Sequence, residues 1–465
     1  KKAATTQIQA YVGARSVAPG HSLSFYVSTQ HAGTRYEIRI YRMGWYQGMG
    51  GRLMTTIRSQ VGQAQGYFNK DVWALVHCST CHVDKKTGLI EARWKQSYSL
   101  IIPYDWTTGV YLVKLIDEHG FQTYTDFDVT GNDRAAYAVV TADTTYAAYN
   151  NWGGRSLYMG KPAPAVKVSF LRPSTQQQGS DQVLVFEANA IHWLERNGYD
   201  LSYMSNVDLQ TNAAQLLKHK AYISLGHVEY WSKEMFDGVE KARDHGVGLA
   251  FLEANAAYWQ IRFERGTTGS ANSTIVCYKV STGHKDLARD PLYGHDNERV
   301  TARWHDPVIN RPENTLIGMM YSHSTHVQQR AFPWKLNKKA QSTLLHGTGL
   351  VPGQKYGCGL VGYEWDKVVS KETTPRGLQI LATSATVNID GKPDTSNTTV
   401  YIAPSGAMVF ATGSVYWMAA LDTYRYKQVA GCAGKNVIVR GMQRLMSNVM
   451  AELVVPHHQQ FRDDE

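Results

Sequence analysis

The sequence predicts two units of different class. An all-β, immunoglobulin-like sandwich spans residues 1–130, and a doubly wound α/β unit spans 131–465. Three observations carry this reading. Residues 7–129 hold six or seven short runs of alternating apolar and polar residues, separated by turn residues. After Arg134, apolar strands alternate with amphipathic helices. One of those strands, 221–226, runs through Gly226 into His227 and Glu229, and ligands bind at the carboxyl ends of strands in an open α/β sheet.

In the first unit, Leu23, Phe25 and Val27 alternate with polar neighbours, as do Tyr36, Ile38 and Ile40, and again Tyr98, Leu100 and Ile102. Residues 110–116 and 123–129 add two strands, and Pro19–Gly20, Gly33 and His119–Gly120 mark turns. Gly131–Asn132–Asp133 reads as the linker. In the second unit the expected order is strand 135–141, helix 183–196, strand 201–204, helix 212–218 and strand 221–226. A helix capped by Ser232, with Met235, Phe236, Val239 and Ala242 on one face, then leads to strand 248–253. Residues 266–350 are irregular and rich in Arg, His, Asn and Pro, as an insertion near a site would be. Strands 379–382 and 407–411 and a final helix, 437–453, complete the expected fold.

A chain of 465 residues with 43% hydrophobic content can bury a large core. No apolar run reaches the roughly 18–20 residues that span a bilayer, so no membrane span is expected. The net charge is +9, yet the basic residues are scattered in nothing longer than pairs such as Lys338–Lys339, which argues against a nucleic-acid partner. The chain opens at Lys1 rather than Met, which fits a processed protein with its signal peptide removed. The 28 Tyr and 12 Trp fit a secreted or periplasmic enzyme or sugar-binding protein.

Three strand ends deliver candidate ligands to one edge of the α/β sheet: Tyr149 after the first strand, His227 and Glu229 after the third, and Asn255 after the fourth. In hydrolases built on such a sheet the turn that here holds His227 and Glu229 often carries a Ser or Cys nucleophile, and neither is present. An imidazole and a carboxylate there point to a metal site or an acid–base pair. Separately, Cys78–Ser79–Thr80–Cys81–His82 has the c-type haem attachment pattern, with Cys78 and Cys81 as thioether donors and His82 as axial ligand. The same residues also read as a local disulfide, a plain loop pair or a zinc half-site. Cys277, Cys358 and Cys432 read as structural.

Several longer motifs resemble one family. They are Tyr41–Arg42–Met43–Gly44–Trp45–Tyr46, the segment 103–111 (PYDWTTGVY), 147–154 (AAYNNWGG), 226–232 (GHVEYWS), 254–259 (ANAAYW), 361–366 (VGYEWD) and 407–413 (AMVFATG). In order and over nearly the whole chain, these resemble the large (beta) subunit of N,N-dimethylformamidase. The resemblance implies a class I glutamine amidotransferase-like α/β domain without its nucleophilic Cys, and a single iron, as Fe(III), held by two tyrosinates and one glutamate. On matching positions the metal ligands would be Tyr111, Tyr149 and Glu229, with Tyr111 making the site interdomain. His227 and Asn255 would act with Glu229 in catalysis.

The implied chemistry is coherent, because phenolate and carboxylate are hard oxygen donors suited to a high-valent cation. His227 would pass a proton to the departing amine, and Asn255 would donate to the developing oxyanion. The expected function is therefore metal-dependent hydrolysis of the C–N bond of a small amide. A non-catalytic carbohydrate-binding or self-assembling surface protein, and a c-type haem electron carrier, are the alternatives. A homo-oligomer is compatible with the sequence, and the small helical subunit of the family is not assumed. His305, His323 and His326 are candidates for the pocket wall, and Glu364 and Asp366 read as a surface or domain-contact pair.

Overall fold

The computed structural model describes residues 2–131, 133–281, 286–325, 331–369, 372–424 and 438–457. Its class is mixed, with an all-β part and an α/β part. The alternating runs of the first 130 residues become two sheets. One has the order Lys2–Ala3, Phe121–Val129, Gly109–Asp117, Arg35–Met43, Gly51–Val61, with Ser16–Val17 beside Phe121–Val129. The other has the order Tyr98–Ile101, Ser22–Thr29, Ile8–Val12. Leu23, Phe25 and Val27 of one sheet share a core with Ile38, Ile40, Val113 and Leu115 of the other. Period-two alternation puts those residues on the inner faces, and their burial is what fixes the register.

Between these strands, residues 66–92 form two small hairpins, Tyr67–Asn69 with Ala74–Val76 and His82–Val83 with Ile90–Glu91. Cys78 and Cys81 lie between the hairpins and are joined as a disulfide, with Cα atoms 5.3 Å apart. This corrects the haem expectation, since sulfurs paired with each other have no thiol left for a thioether. His82 is simply a half-buried residue of the second hairpin. Cys277 is a buried free thiol, Cys358 is itself disulfide-bonded, and Cys432 lies outside the described residues.

The α/β part is built on a seven-stranded sheet. Its order is Leu201–Ser205, Tyr137–Thr141, Ala221–Leu225, Gly248–Leu252, Met408–Ala411, Pro393–Ile402, Gln379–Val387. The first five strands run parallel, Pro393–Ile402 runs antiparallel to them, and Gln379–Val387 runs antiparallel to Pro393–Ile402. Strands Tyr137–Thr141, Ala221–Leu225 and Gly248–Leu252 are buried along their whole length, as continuous apolar runs between two covered faces should be. The helix Lys233–Asp244 begins where its sequence signals it. Ser232 Oγ accepts the Met235 N–H, and Met235, Phe236, Val239 and Ala242 are the buried face.

The structure corrects several boundaries. A helix starts at Asn206, earlier than the expected 212, because Ser205 and Asp208 form a reciprocal capping box; residues Ala213–Lys218 continue it as a 3-10 segment. The strand Pro393–Ile402 was not foreseen, because its Ser396-Asn397-Thr398-Thr399 run is polar yet buried. Residues 266–350 contain short strands, including Thr274–Val276 and Met320–Ser324, rather than a featureless insertion. The last helix is Arg440–Leu453; Val437 lies outside the described residues. Among the described residues no helix is long and apolar enough to cross a membrane.

The β and α/β parts meet over a polar, buried surface. Arg15 bonds Asp143 at 2.6 Å and also Asp126, while the Thr141 hydroxyl donates to Asp128 at 2.8 Å. Arg42 pairs with Glu195 at 2.7 Å, and the Trp152 indole donates to Gln9 at 2.8 Å.

Candidate functional site

In chain order the sheet strands at 137, 201, 221 and 248 are first to fourth, but in space the first lies between the second and the third. The sheet order therefore reverses between Tyr137–Thr141 and Ala221–Leu225, and a reversal of this kind opens a crevice at the strands' carboxyl ends. The first strand feeds the helix Asp143–Tyr149, whose last residue is Tyr149. The third feeds Gly226, His227, Val228 and Glu229. Gly226 has φ +84°, and a Cβ there would stand 2.9 Å from Glu187 Cγ and 3.0 Å from the Tyr146 hydroxyl oxygen, so the turn needs glycine. The Glu253 carboxylate accepts the Val228 N–H at 2.5 Å and the Ser224 hydroxyl, which ties this turn to the neighbouring strand's end.

Glu229 is the centre of the site. It is buried, its N–H donates to Thr145 Oγ1 at 2.9 Å, and its two carboxylate oxygens each accept a phenol. Tyr149 donates to Oε2 at 2.8 Å and Tyr158 to Oε1 at 2.6 Å; the Tyr230 hydroxyl adds a 2.6 Å bond to the Tyr158 oxygen. The rings of Tyr149 and Tyr158 stack with centroids 4.2 Å apart. Burial raises both phenols well above their ordinary pKa, and the adjacent Glu229 charge raises them further. Glu229 is itself raised, because burial outweighs the attraction of His227 and Lys279. Tyr158 keeps 39% of its surface exposed while its hydroxyl end is held inside by Glu229 and Tyr230.

His227 lies beside this carboxylate, with Nε2 3.6 Å from Glu229 Oε2 and 2.7 Å from Glu364 Oε2. The short distance to Glu364 is not matched by a well-directed hydrogen bond, so the contact is chiefly one of charge. Its Nδ1 is 3.2 Å from the Tyr363 hydroxyl. Burial pulls the imidazole pKa down, but the surrounding carboxylates, Glu364 first and then Glu229 and Glu253, together outweigh it and lift the group to about 9.

Asn255 joins the cluster from the fourth strand's end. Its Nδ2 donates to the same Glu364 oxygen at 3.0 Å, its N–H to Asp366 at 2.7 Å, and its buried Oδ1 has no partner among the described residues. It holds φ +56°, a left-handed backbone that asparagine tolerates better than other side-chain-bearing residues. The free Oδ1 is an acceptor, and Nδ2 keeps a second N–H beyond the one given to Glu364.

The structure thus brings together Tyr149, Glu229, His227 and Asn255, but not Tyr111. Tyr111 is 0% exposed in the β core, stacked between Trp106 and Phe127, and its hydroxyl donates to the Thr107 carbonyl at 2.6 Å. Burial raises its pKa, and the charges acting on it are those of Arg42, Tyr46, Glu195 and Asp105 rather than Glu229. The physical reason lies in the pleat: Tyr111 shares the inward face of its strand with Val113 and Leu115.

Four residues escaped the sequence reading. Glu364 and Asp366, expected as a surface or domain-contact pair, are 6% and 3% exposed and bind His227 and Asn255. Tyr158 carries no motif of its own in the sequence. The fourth is Lys279, which lies just beyond the short strand Thr274–Val276; its ammonium sits against the Tyr158 ring, and burial lowers its pKa to about 8. The lone Glu in VGYEWD was the one available signal for Glu364. His305 pairs with Glu313 at 2.9 Å behind Tyr258, and His323 lies 3.6 Å from Asp390; His326 lies outside the described residues. Among the described residues no three His, Cys, Asp or Glu side chains gather as a metal site.

A family model described as N,N-dimethylformamidase beta subunit-like, C-terminal, matches residues 37–431. The N,N-dimethylformamidase beta subunit of an Alcaligenes species is 24% identical over 302 residues, covering 58% of this chain and 38% of that protein. That of Paracoccus aminophilus is 24% identical over 307 residues, covering 59% and 39%. The chain matches about two-fifths of the length of these curated relatives. Among solved structures, a superoxide reductase (neelaredoxin) from Ignicoccus hospitalis aligns with a TM-score of 0.15 and 9% identity, over 26% of this chain and 77% of that one. That score is too low to bear on the fold.

Proposed function

The chain belongs to the N,N-dimethylformamidase beta subunit-like family, and from that membership we propose a metal-dependent amidohydrolase that cleaves the C–N bond of a small amide at the Glu229 crevice. The observation that carries the reading is the buried Glu229 carboxylate with a phenol hydroxyl on each oxygen. Three hard oxygen donors lie within hydrogen-bonding distance of one another and form a set suited to Fe(III) once the two phenol protons leave. Tyr149, Tyr158 and Glu229 would hold the ion, with Tyr158 in the role anticipated for Tyr111. When bound, it would supply Lewis-acid polarisation of the amide carbonyl and acidify water.

The chain's own groups account for the rest. Hydrolysis forms a C–O bond, breaks the C–N bond and requires a proton on the departing nitrogen. His227, kept protonated by Glu364 despite its burial, carries that proton at Nε2. Asn255, oriented by Glu364 and Asp366, offers Oδ1 to an N–H of the leaving amine. Glu253 holds the turn that presents His227 and Glu229.

The proposal includes an immunoglobulin-like first domain, residues 1–130, and a glutamine amidotransferase-like second domain, 131–465, with the site on the second. The relatives' designation as beta subunits supports assembly with a second kind of chain. The Cys78–Cys81 disulfide supports a secreted or periplasmic setting, where such bonds persist.

The test is metal content together with release of dimethylamine from N,N-dimethylformamide, for the parent chain, Tyr149→Phe and Glu229→Ala. Iron near one ion per chain, a phenolate-to-iron absorption band and amine release, all reduced in both variants, are the expected results. A chain that takes up no metal and releases no amine when supplied with ferric or ferrous ion rules the reading out.

A further inference from the structure

Lys279 has no part in the hydrolysis described above, yet it touches the site at one specific place. Its Nζ lies 3.1 Å from the centroid of the Tyr158 ring, and 5.3 Å and 5.5 Å from those of Tyr230 and Trp259. Tyr149 stacks on Tyr158 with centroids 4.2 Å apart and planes 25° apart. A stacked ring and an ammonium that close cannot share one face, so Tyr149 and Lys279 cover opposite faces of Tyr158. The hydroxyl is then fixed at its tip by Glu229 and Tyr230. Lys279 itself adopts φ +50°, a left-handed backbone unusual for a side chain of its length. Such strain persists where the surroundings over-determine a position.

An ammonium over a tyrosine face is held by the ring quadrupole, and the contact strengthens when it is partly removed from water. Lys279 is half-buried, and its positive charge also acts on Glu229. The ring it covers belongs to the one phenol of the pair that sits on a loop: Tyr149 ends a helix, whereas Tyr158 lies in a bend beyond the short 3-10 turn Trp152–Gly154. A loop residue needs an external clamp to present its oxygen at a fixed angle, and tertiary packing supplies one here.

We propose that Lys279 is a positioning residue that clamps the Tyr158 ring against Tyr149 and so sets the Tyr158 oxygen on Glu229. This rests on the Glu229 reading for its functional consequence but not for the contact itself.

The experiment uses the full chain with Lys279→Met, Lys279→Arg and Tyr158→Leu. In the metal-free parent, NMR of lysines labelled at Cε should place the Lys279 ε-methylene upfield of the other lysines through the Tyr158 ring current, and Tyr158→Leu should return it to the ordinary range. Near-UV circular dichroism of the stacked tyrosines should weaken in Lys279→Met and be restored in Lys279→Arg. Titration with ferric ion, supplied as its nitrilotriacetate, should show about tenfold weaker binding and a shifted phenolate band in Lys279→Met, with recovery in Lys279→Arg. An ε-methylene at the ordinary position overturns the proposal, whether or not Lys279→Met folds. So does a folded Lys279→Met that keeps the parent's tyrosine dichroism. If the parent takes up no ferric ion, the metal reading fails, while the two metal-free measurements still decide the clamp.

Discussion

His227 Nε2 and Glu364 Oε2 are 2.7 Å apart, although the two residues come from a turn of the parallel sheet and from the distant strand Glu364–Lys367. Burial alone would lower the imidazole pKa, and the neighbouring carboxylates, Glu364 foremost, raise it to about 9.

Replacing Glu364 with Gln should therefore reverse the shift on His227. With the carboxylate gone, burial dominates, and the imidazole should fall from about 9 towards or below its ordinary 6.5. Histidine ring NMR across pH in metal-free protein measures this. If amide hydrolysis uses the His227 proton, the alkaline limb of its pH–rate profile should move to lower pH by a similar amount. An imidazole still titrating near 9 in the variant contradicts the assignment.

Tyr158 and Tyr111 separate cleanly by substitution with Phe. Tyr158→Phe removes the bond to Glu229 Oε1, and ferric ion binding should drop more than tenfold with loss of part of the phenolate band. Tyr111→Phe removes only the bond to the Thr107 carbonyl, so ferric titration should be unchanged while stability falls by about 1–2 kcal/mol in urea unfolding.

Arg15 lies between Asp126, Asp143 and Asp181 at the meeting of the β and α/β parts. Arg15→Met leaves these carboxylates buried without that cation, and a loss of about 3–5 kcal/mol is expected. Chemical denaturation should show it, with the transition moving at unchanged cooperativity if the two parts still unfold together.

Glu187 gives a pH signature of opposite sign to an ordinary salt-bridged carboxylate. Burial raises it from 4.5 to about 8, so the folded chain keeps a proton that the unfolded chain releases between those values. Its contribution to stability is whole below about pH 4.5 and is lost as pH rises towards 8, at up to about 1.4 kcal/mol per pH unit. Glu187→Gln should flatten that decline when unfolding is measured at pH 5, 6.5 and 8. A variant with the parent's full slope removes Glu187 as its source.

Cys78 and Cys81 should yield two titratable thiols only after a dithiol reductant, and acid–acetone extraction should leave no covalent haem absorption. Because the ring they close is short, replacing both with Ser should cost only about 2 kcal/mol.

Local order in the sequence was enough for the class of each part and for the turn at 226–229. Inward alternation set the β strands, continuous apolar runs marked the buried parallel strands, and the Ser232 cap placed the following helix. Those signals depend on neighbours within a few residues, so a single chain displays them. The same locality put Tyr149, His227, Glu229 and Asn255 at one sheet edge, because parallel strands end together. It could not say which second phenol meets Glu229. The motif carrying Tyr111 is long and well matched, but the strand pleat turns that side chain into hydrocarbon, while a loop swings Tyr158 back onto the carboxylate. Glu364 and Lys279 were equally hidden, since each reaches the crevice from an element far along the chain, and only the packed sheet brings them within contact distance.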